Sequence, residues 1–300
     1  MKKILVIGST VVDVIIDVNV LPSSKADVHV KKQVASMGGC AYNVSDTIRN
    51  FRVPNILFSP VGSGVYGDYV RSGLRKKGLI SPIPPVDMDN GCCYCFVEES
   101  GERTFISYHG AEYLIQSEWL EEIDTEEIHS VYICGLEIEE TTGVNIVQWL
   151  EKNPQLPVFF APGPRILKID EQLLQRIYKL HPVMHLNDDE IMDYFHMYDV
   201  NVAMKKMYDM TDNTVIVTLG DKGATWYDGT ETGTAAAVPV EKVVDTIGAG
   251  DSHLGAVMSC LYNGMSMADS IATANKVASA VVGVKGALLT QDEFDEVMAR

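Results

Sequence analysis

The chain predicts an α/β fold, a mostly parallel central sheet flanked by helices on both faces, with a small additional β-sheet. Short apolar runs alternate with amphipathic stretches along most of the 300 residues, as in a parallel sheet covered on both sides. Two segments break that rhythm and read as extended hairpin-like pairs. The apolar content of 46% is enough to bury one large core.

The first strand is the run Ile4-Leu5-Val6-Ile7, which ends in Gly8-Ser9. Residues 12–18 with 28–34 form the first hairpin-like pair, and 92–97 with 103–108 the second, turning through Glu99-Ser100-Gly101. Further strands are expected over 56–61, 130–134, 157–160, 182–186 and 214–219, each an apolar run bounded by turn or polar residues. Helices are expected over 44–51, 68–77, 142–152, 171–180 and 200–210, with another after Asp251. No internal repeat, low-complexity run or linker divides the chain.

The string Asp245-Thr246-Ile247-Gly248-Ala249-Gly250-Asp251 leads straight into the apolar helix that begins near Ser252. Small residues let backbone lie against a phosphate, and the helix start adds unpaired N–H groups and its positive dipole end. Asp251 at that start has the ordinary role of a helix cap, but a carboxylate beside an anion nest also suits proton transfer. A second string, Gly38-Gly39-Cys40-Ala41-Tyr42-Asn43, places a Gly pair before a helix, with an Asn that offers both donor and acceptor to hydroxyls.

The two strings, in this order, resemble the signatures of the ribokinase-like carbohydrate kinases, the PfkB family. The resemblance covers nearly the whole chain. It implies a ribokinase-like fold over 1–300 as one kinase domain, with a lid formed by about 12–36 and 91–109 that shields phosphoryl transfer from water. It further implies ATP-dependent phosphorylation of a primary hydroxyl of a small sugar. Asp251 would be the base, with Gly248, Ala249 and Gly250 holding the transferring phosphoryl group. Asp13, Gly38, Gly39, Asn43 and Glu137 would bind the sugar. Asn187, Thr218, Gly220, Asp221, Gly223 and Asn275 would bind the nucleotide. In Asn187-Asp188-Asp189-Glu190, Glu190 would order magnesium through water, and Asp245 is a candidate ligand for a monovalent cation such as K+. In several relatives the lid also makes the dimer contact, so a homodimer through the lid is expected.

Two positions depart from the family pattern. His253 stands where a Phe is usual, and is read as a packed, hydrogen-bonded side chain. Gly64, in Val61-Gly62-Ser63-Gly64-Val65-Tyr66-Gly67, replaces an Asp, which puts that turn's local hydrogen bonding in question.

A formal net charge of -17 argues against a nucleic-acid partner, which demands clustered Lys and Arg. ATP is not excluded, because backbone amides and magnesium neutralise phosphates locally. No uninterrupted apolar stretch reaches membrane-spanning length, and Asp13 and Asp17 interrupt the only run that imitates a signal peptide. A cytoplasmic protein without a membrane partner is therefore expected. The six cysteines fit this: Cys92, Cys93 and Cys95 crowd together and read as strand residues, while Cys40, Cys134 and Cys260 are scattered without C-x-x-C partners. A nucleoside kinase remains the main alternative, with Tyr42, Tyr108 and His109 as candidates to stack on a base. A non-catalytic sugar sensor on the same fold is a second. Gly8-Ser9-Thr10-Val11-Val12-Asp13 is no G-x-G-x-x-G, which argues against a dinucleotide oxidoreductase.

Overall fold

The computed structural model describes residues 1–100 and 102–299; Gly101, in the expected turn of the second hairpin, lies outside them. The strands are β1 Lys3–Ile7, β2 Val11–Asp17, β3 Lys32–Gly38, β4 Asn55–Phe58, β5 Cys92–Val97, β6 Arg103–Tyr108, β7 Ile128–Cys134, β8 Val158–Ala161, β9 Val183–Asn187, β10 Val215–Thr218, β11 Ala224–Tyr227 and β12 Thr232–Ala235. The helices are α1 Cys40–Asn50, α2 Gly64–Lys77, α3 Ser117–Glu121, α4 Gly135–Glu139, α5 Gly143–Lys152, α6 Glu171–Tyr178, α7 Asp188–Phe195, α8 Val200–Thr211, α9 Ala249–Tyr262, α10 Met267–Val282 and α11 Gln291–Ala299.

Eight strands form the central sheet in the order β12-β11-β10-β9-β8-β7-β1-β4. From β10 to β4 every pairing is parallel, while β11 and β12 extend the edge antiparallel. β1 shows why both faces are covered: Ile4 and Val6 enter the core shared with α1, α9 and α10, and Leu5 and Ile7 the core shared with α5, α6 and α8. Alternate side chains of a strand point to opposite faces, so an unbroken apolar run feeds two cores at once.

The four-stranded second sheet has the order β3-β2-β5-β6. β5 and β6 pair as the expected hairpin, Cys92 opposite Tyr108 and Val97 opposite Arg103. The first pair differs: β2 pairs with Lys32–Gly38, Asp13 opposite Ser36, and not with 28–34. β3 is a mostly exposed edge strand, so backbone hydrogen bonding sets its register and the apolar Val28 and Val30 do not mark it. A parallel pairing of β2 with β5 joins the two hairpins into one sheet.

Other boundaries differ from expectation for local reasons. β4 stops at Phe58, before Pro60, which has no N–H to give a ladder. The β11–β12 hairpin has no counterpart among the expected strands, although Asp228-Gly229 announces a turn; Asp228 Oδ1 accepts from the Thr230 and Glu231 N–H groups, both at 2.9 Å. At Gly64, where φ is 75°, the Asp89 carboxylate comes close and accepts from Ser63 Oγ at 3.5 Å, so a neighbouring segment supplies the missing acid. Among the described residues no helix is long and apolar enough to cross a membrane.

Candidate active site

The carboxyl ends of β1, β7, β8, β9 and β10 all open on one edge, where ligands of such sheets gather. α9 begins there. Gly248 caps it in the left-handed region, φ 76°, and a Cβ at that position would meet the Ala287 carbonyl oxygen at 2.5 Å. The first bond into the helix runs from Ser252 N–H to the Gly248 carbonyl at 2.8 Å, so the N–H groups of Gly250 and Asp251 precede the ladder. Gly250 itself is not left-handed, and a Cβ on it would meet no atom within 4 Å. The backbone conformation does not demand glycine at 250; only the open space beside it would be filled.

Asp251 Oδ2 accepts from Asn43 Nδ2 at 2.8 Å. Burial raises the Asp251 pKa to about 6, although the Asn43 bond pulls the other way. Asp13 on β2 is raised to about 6 as well, by burial first and then by the Asp251 charge. Gly38 and Gly39 serve this approach. A Cβ on Gly38 would overlap the Asp13 carboxylate, and one on Gly39, φ 101°, would meet the Ser9 carbonyl oxygen at 2.6 Å. Glu137 is buried on α4, just past β7, with Oε1 accepting from Ser9 N–H at 2.8 Å. Ser9 Oγ, Thr10 Oγ1, Asn43 Oδ1, Glu137 Oε2 and Tyr132 OH are buried in this neighbourhood with no protein partner. Buried polar atoms are nearly always bonded, so a cluster of orphans marks a place for a polar ligand.

Two clefts meet at Gly250. The first, about 480 Å³, is lined by Asp251, Glu190, His185, Cys40, Cys134 and Arg165 among others. The Cys134 thiol, burial and Asp251 all push the Cys40 pKa well up, so it stays a neutral thiol. The second cleft, about 540 Å³, contains Asn187, Thr218, Gly220, Asp221, Gly223 and Asn275, the full set expected for the nucleotide, against a wall that includes Val238, Pro239 and Val240. Asn187, Thr218 and Gly250 line both. Asp13, Gly38, Gly39, Asn43 and Glu137 line neither; they form the group beneath the second sheet, joined to the clefts through Asp251.

Asn187 and Glu190 form a reciprocal cap on α7: Asn187 Oδ1 accepts from Glu190 N–H at 2.7 Å, and Glu190 Oε2 from Asn187 N–H at 2.9 Å. Glu190 Oε1 has no such bond, and burial raises the group's pKa. Among the described residues no cluster of three or more His, Cys, Asp or Glu side chains forms a metal cage. One carboxylate oxygen in a cleft whose basic side chains are Arg165, paired with Glu139 at 3.0 Å, and a neutral His185 suits magnesium, which keeps most of its water and takes few protein ligands.

Asn275 donates from Nδ2 to the Ala235 and Ala236 carbonyls, at 2.8 and 3.1 Å, which leaves its Oδ1 to accept from His253 Nε2 at 3.2 Å. His253 Nδ1 must then accept from His185 Nε2, at 2.9 Å. Burial drives both imidazoles neutral, His253 down to about 4 and His185 well below the usual range. His253 is thus the packed, bonded side chain expected, and Asn275 spends its amide on the protein. Asp245 is also taken: Arg103 Nη1 donates to its Oδ1 at 2.7 Å, and Ile247 N–H at 3.0 Å.

The pfkB family carbohydrate kinase model matches residues 1–293. The chain belongs to the pfkB family of carbohydrate kinases. It is accordingly a kinase of the ribokinase type, an ATP-dependent phosphotransferase. An uncharacterised sugar kinase of Escherichia coli K12, YegV, is 34% identical over 289 residues, 95% of this chain and 90% of that one. A ribokinase of Arabidopsis thaliana is 24% identical, covering 98% of this chain and 80% of its own. Among solved structures, Thermotoga maritima ribokinase superposes with a TM-score of 0.84 over 100% of both chains at 21% identity. A Burkholderia thailandensis nucleoside kinase in complex with inosine gives 0.78 at 20% identity, over 98% of this chain and 95% of that one. The pfkB fold is thereby shown, central sheet and small separate sheet included.

Within this pfkB chain the aromatic candidates for base stacking fare unequally. Tyr42 is 2% exposed and belongs to the core. His109 stacks on Tyr113 and bonds Glu140 at 2.6 Å, whereas Tyr108 stays exposed on β6. Cys92 and Cys95 are buried strand residues. The sequence did not single out Cys40, Arg103, Arg165 or His185. Of these only His185, two residues before Asn187 on a strand and so on the same face, carried a readable signal.

Proposed function

We propose that this kinase transfers the terminal phosphate of ATP to a primary hydroxyl of a small sugar held beneath the second sheet. The observation that carries the reading is the Asn43–Asp251 bond, because it joins the polar orphans of one region to the turn shared by both clefts. Hydroxyls of a sugar supply the partners that Asn43 Oδ1, Glu137 Oε2 and the Asp13 carboxylate lack within the protein. Asp251, with a pKa near 6, is ionised at neutral pH yet close enough to titration to accept the hydroxyl proton. The N–H groups of Gly250 and Asp251 and the dipole of α9 stabilise the charge on the transferring group, and most of the rate acceleration in phosphoryl transfer comes from stabilisation of that kind.

The nucleotide occupies the second cleft, its flat base against the apolar wall. Glu190 Oε1 and waters would hold magnesium, which would neutralise phosphate charge that Arg165, already paired with Glu139 at 3.0 Å, does not meet. The second sheet acts as a lid that keeps water from the reaction, and its exposed edge strand β6, with Ile106 and Tyr108 on one face and Phe105 on the other, is the element through which a second copy would dock. The site lies in a cytoplasmic enzyme on this reading. Burial of Tyr42 favours a sugar over a nucleoside, since one of the two tyrosines offered for stacking is sealed in the core. An ADP-release screen with magnesium ATP over ribose, fructose, 2-keto-3-deoxygluconate, phosphorylated hexoses, adenosine and pseudouridine tests this. A free sugar should give the highest kcat/KM; a large preference for a nucleoside overturns the sugar assignment.

A further inference from the structure

The sequence pattern offered Asp245 to a monovalent cation, and the structure gives its carboxylate a different partner. Asp245 is 6% exposed, and the Oδ1 that accepts from Ile247 N–H also accepts from the Arg103 guanidinium at 2.7 Å. A fixed positive charge already stands on that oxygen. A potassium ion sharing it would lie within a few ångströms of the guanidinium, and two cations on one carboxylate repel. The residues present therefore do not fit a cation bound through this oxygen.

Arg103 comes from the second sheet. It opens β6 opposite Val97, five pairs from the Cys92–Tyr108 end, or about 17 Å along the strand at the usual rise. The Cys92 end is fastened to the body by other groups: buried Glu112 accepts from the N–H groups of Gly91 and Gly110, at 2.7 and 3.1 Å. Asn90 accepts from Gly62 N–H at 3.0 Å and donates to the Thr10 carbonyl at 3.3 Å. The sheet is thus anchored at one end and held against α2, where Tyr69 donates to the Ala35 carbonyl at 2.7 Å, and the Arg103–Asp245 pair ties its far end to the loop that runs into the 248–251 turn.

We infer that Arg103 is a positioning residue that supplies at Asp245 the positive charge a monovalent cation would supply, and that it latches the second sheet to the loop carrying the phosphate-binding turn. Two consequences follow from the same contact. Turnover needs no potassium, and closure of the second sheet is felt directly at the turn. Removing Arg103 leaves a buried carboxylate without its counter-charge, a site that then attracts a cation from solution.

The test compares wild type, Arg103→Ala and Arg103→Lys in potassium chloride and in tetramethylammonium chloride at equal ionic strength. It reads amide exchange of β5 and β6, the thermal midpoint and, with the best sugar, kcat/KM. Wild type should behave alike in both salts. In Arg103→Ala, β5 and β6 should exchange about fivefold faster, as loss of a partly buried pair implies, and potassium should recover midpoint and turnover. Arg103→Lys should stay close to wild type. Potassium activation of wild type overturns the inference, as does unchanged exchange in Arg103→Ala, or loosened strands that ignore potassium. If Arg103→Ala fails to fold, Asp245→Asn reads the latch by exchange of the same strands, unchanged rates again overturning it. The inference rests on the proposed function only for its turnover arm. Exchange and midpoint still decide it if no tested sugar is phosphorylated, so the two failures are distinguishable.

Discussion

The two clefts that share Gly250 are built from different kinds of residue. One gathers Asp251, Glu190, His185, two thiols and Arg165; the other sets Ala237, Val238, Pro239, Val240, Ala278 and Val282 around a few small polar groups. Ionisable groups placed where burial shifts them can move protons and hold charge, while an apolar wall holds a flat ring by contact alone. The difference teaches that position along the 245–251 string sets the character of each side: Gly250 lines both clefts, and Asp251 lines only the one rich in ionisable groups.

The largest expected break in that contrast is Asp251→Asn. Binding on both sides should persist while turnover falls at least about a hundredfold, as loss of a general base does. Steady-state kinetics with isothermal titration would show it, and near-normal turnover would remove Asp251 from the mechanism. Wild-type kcat should rise with pH through about 6 and level above, since the ionised carboxylate is the active form. The sign for stability is opposite. A folded pKa above the ordinary 3.8 means that stability is complete below that value and is lost as pH rises through about 6. At neutral pH the Asn variant should accordingly melt higher than wild type, and a lower midpoint would contradict the burial of this charge.

Gly250→Val comes next. Its Cβ enters open space, so the fold should survive, but the side chain crowds both clefts and lowers turnover on the order of thirtyfold by pushing charge from the N–H groups. Circular dichroism checks the fold, and unchanged kinetics would place the phosphate site elsewhere. Asn43→Ala should raise the sugar KM about tenfold and leave the ATP KM alone, through lost hydrogen bonds on one side only. The same change removes the bond that lowers the Asp251 pKa, so the rising limb of the pH profile should move up; a fixed limb would show that Asn43 does not tune the base. The smallest effect belongs to Glu190→Gln. Gln preserves the reciprocal cap, so stability should hold while the magnesium needed for half-maximal rate rises about fivefold. A melting loss without a magnesium shift would make Glu190 a cap only.

Much of this was legible in the residues. The alternation of apolar runs with helices placed β1, β7, β8, β9 and β10 because buried parallel strands and amphipathic helices write different periods. The 245–251 and 38–43 strings located Asp251 and Asn43 because small residues and helix starts have local causes. What the sequence hid depends on distance in space. β3 is an exposed edge with no apolar pattern to betray it, and nothing near Arg103 announces a carboxylate 142 residues away. Tyr42 is the converse case: an aromatic beside a ligand motif, and yet helix periodicity turns it into the core while Asn43 faces Asp251.

The hydrogen-bonded chain from Asn275 through His253 to His185 makes the molecule its own spectroscopic probe. Each imidazole has a single tautomer, protonated at Nε2 and neutral, and each Nε2 proton sits in a buried bond, of 2.9 Å from His185 and 3.2 Å from His253. Such protons exchange slowly and resonate downfield of the amides, so two lines in a one-dimensional proton spectrum should report on the site without any label. His185 lines one cleft and His253 the other. A ligand entering either cleft would move its own line first, and titrating nucleotide and sugar separately would show from resonance positions which side each one fills.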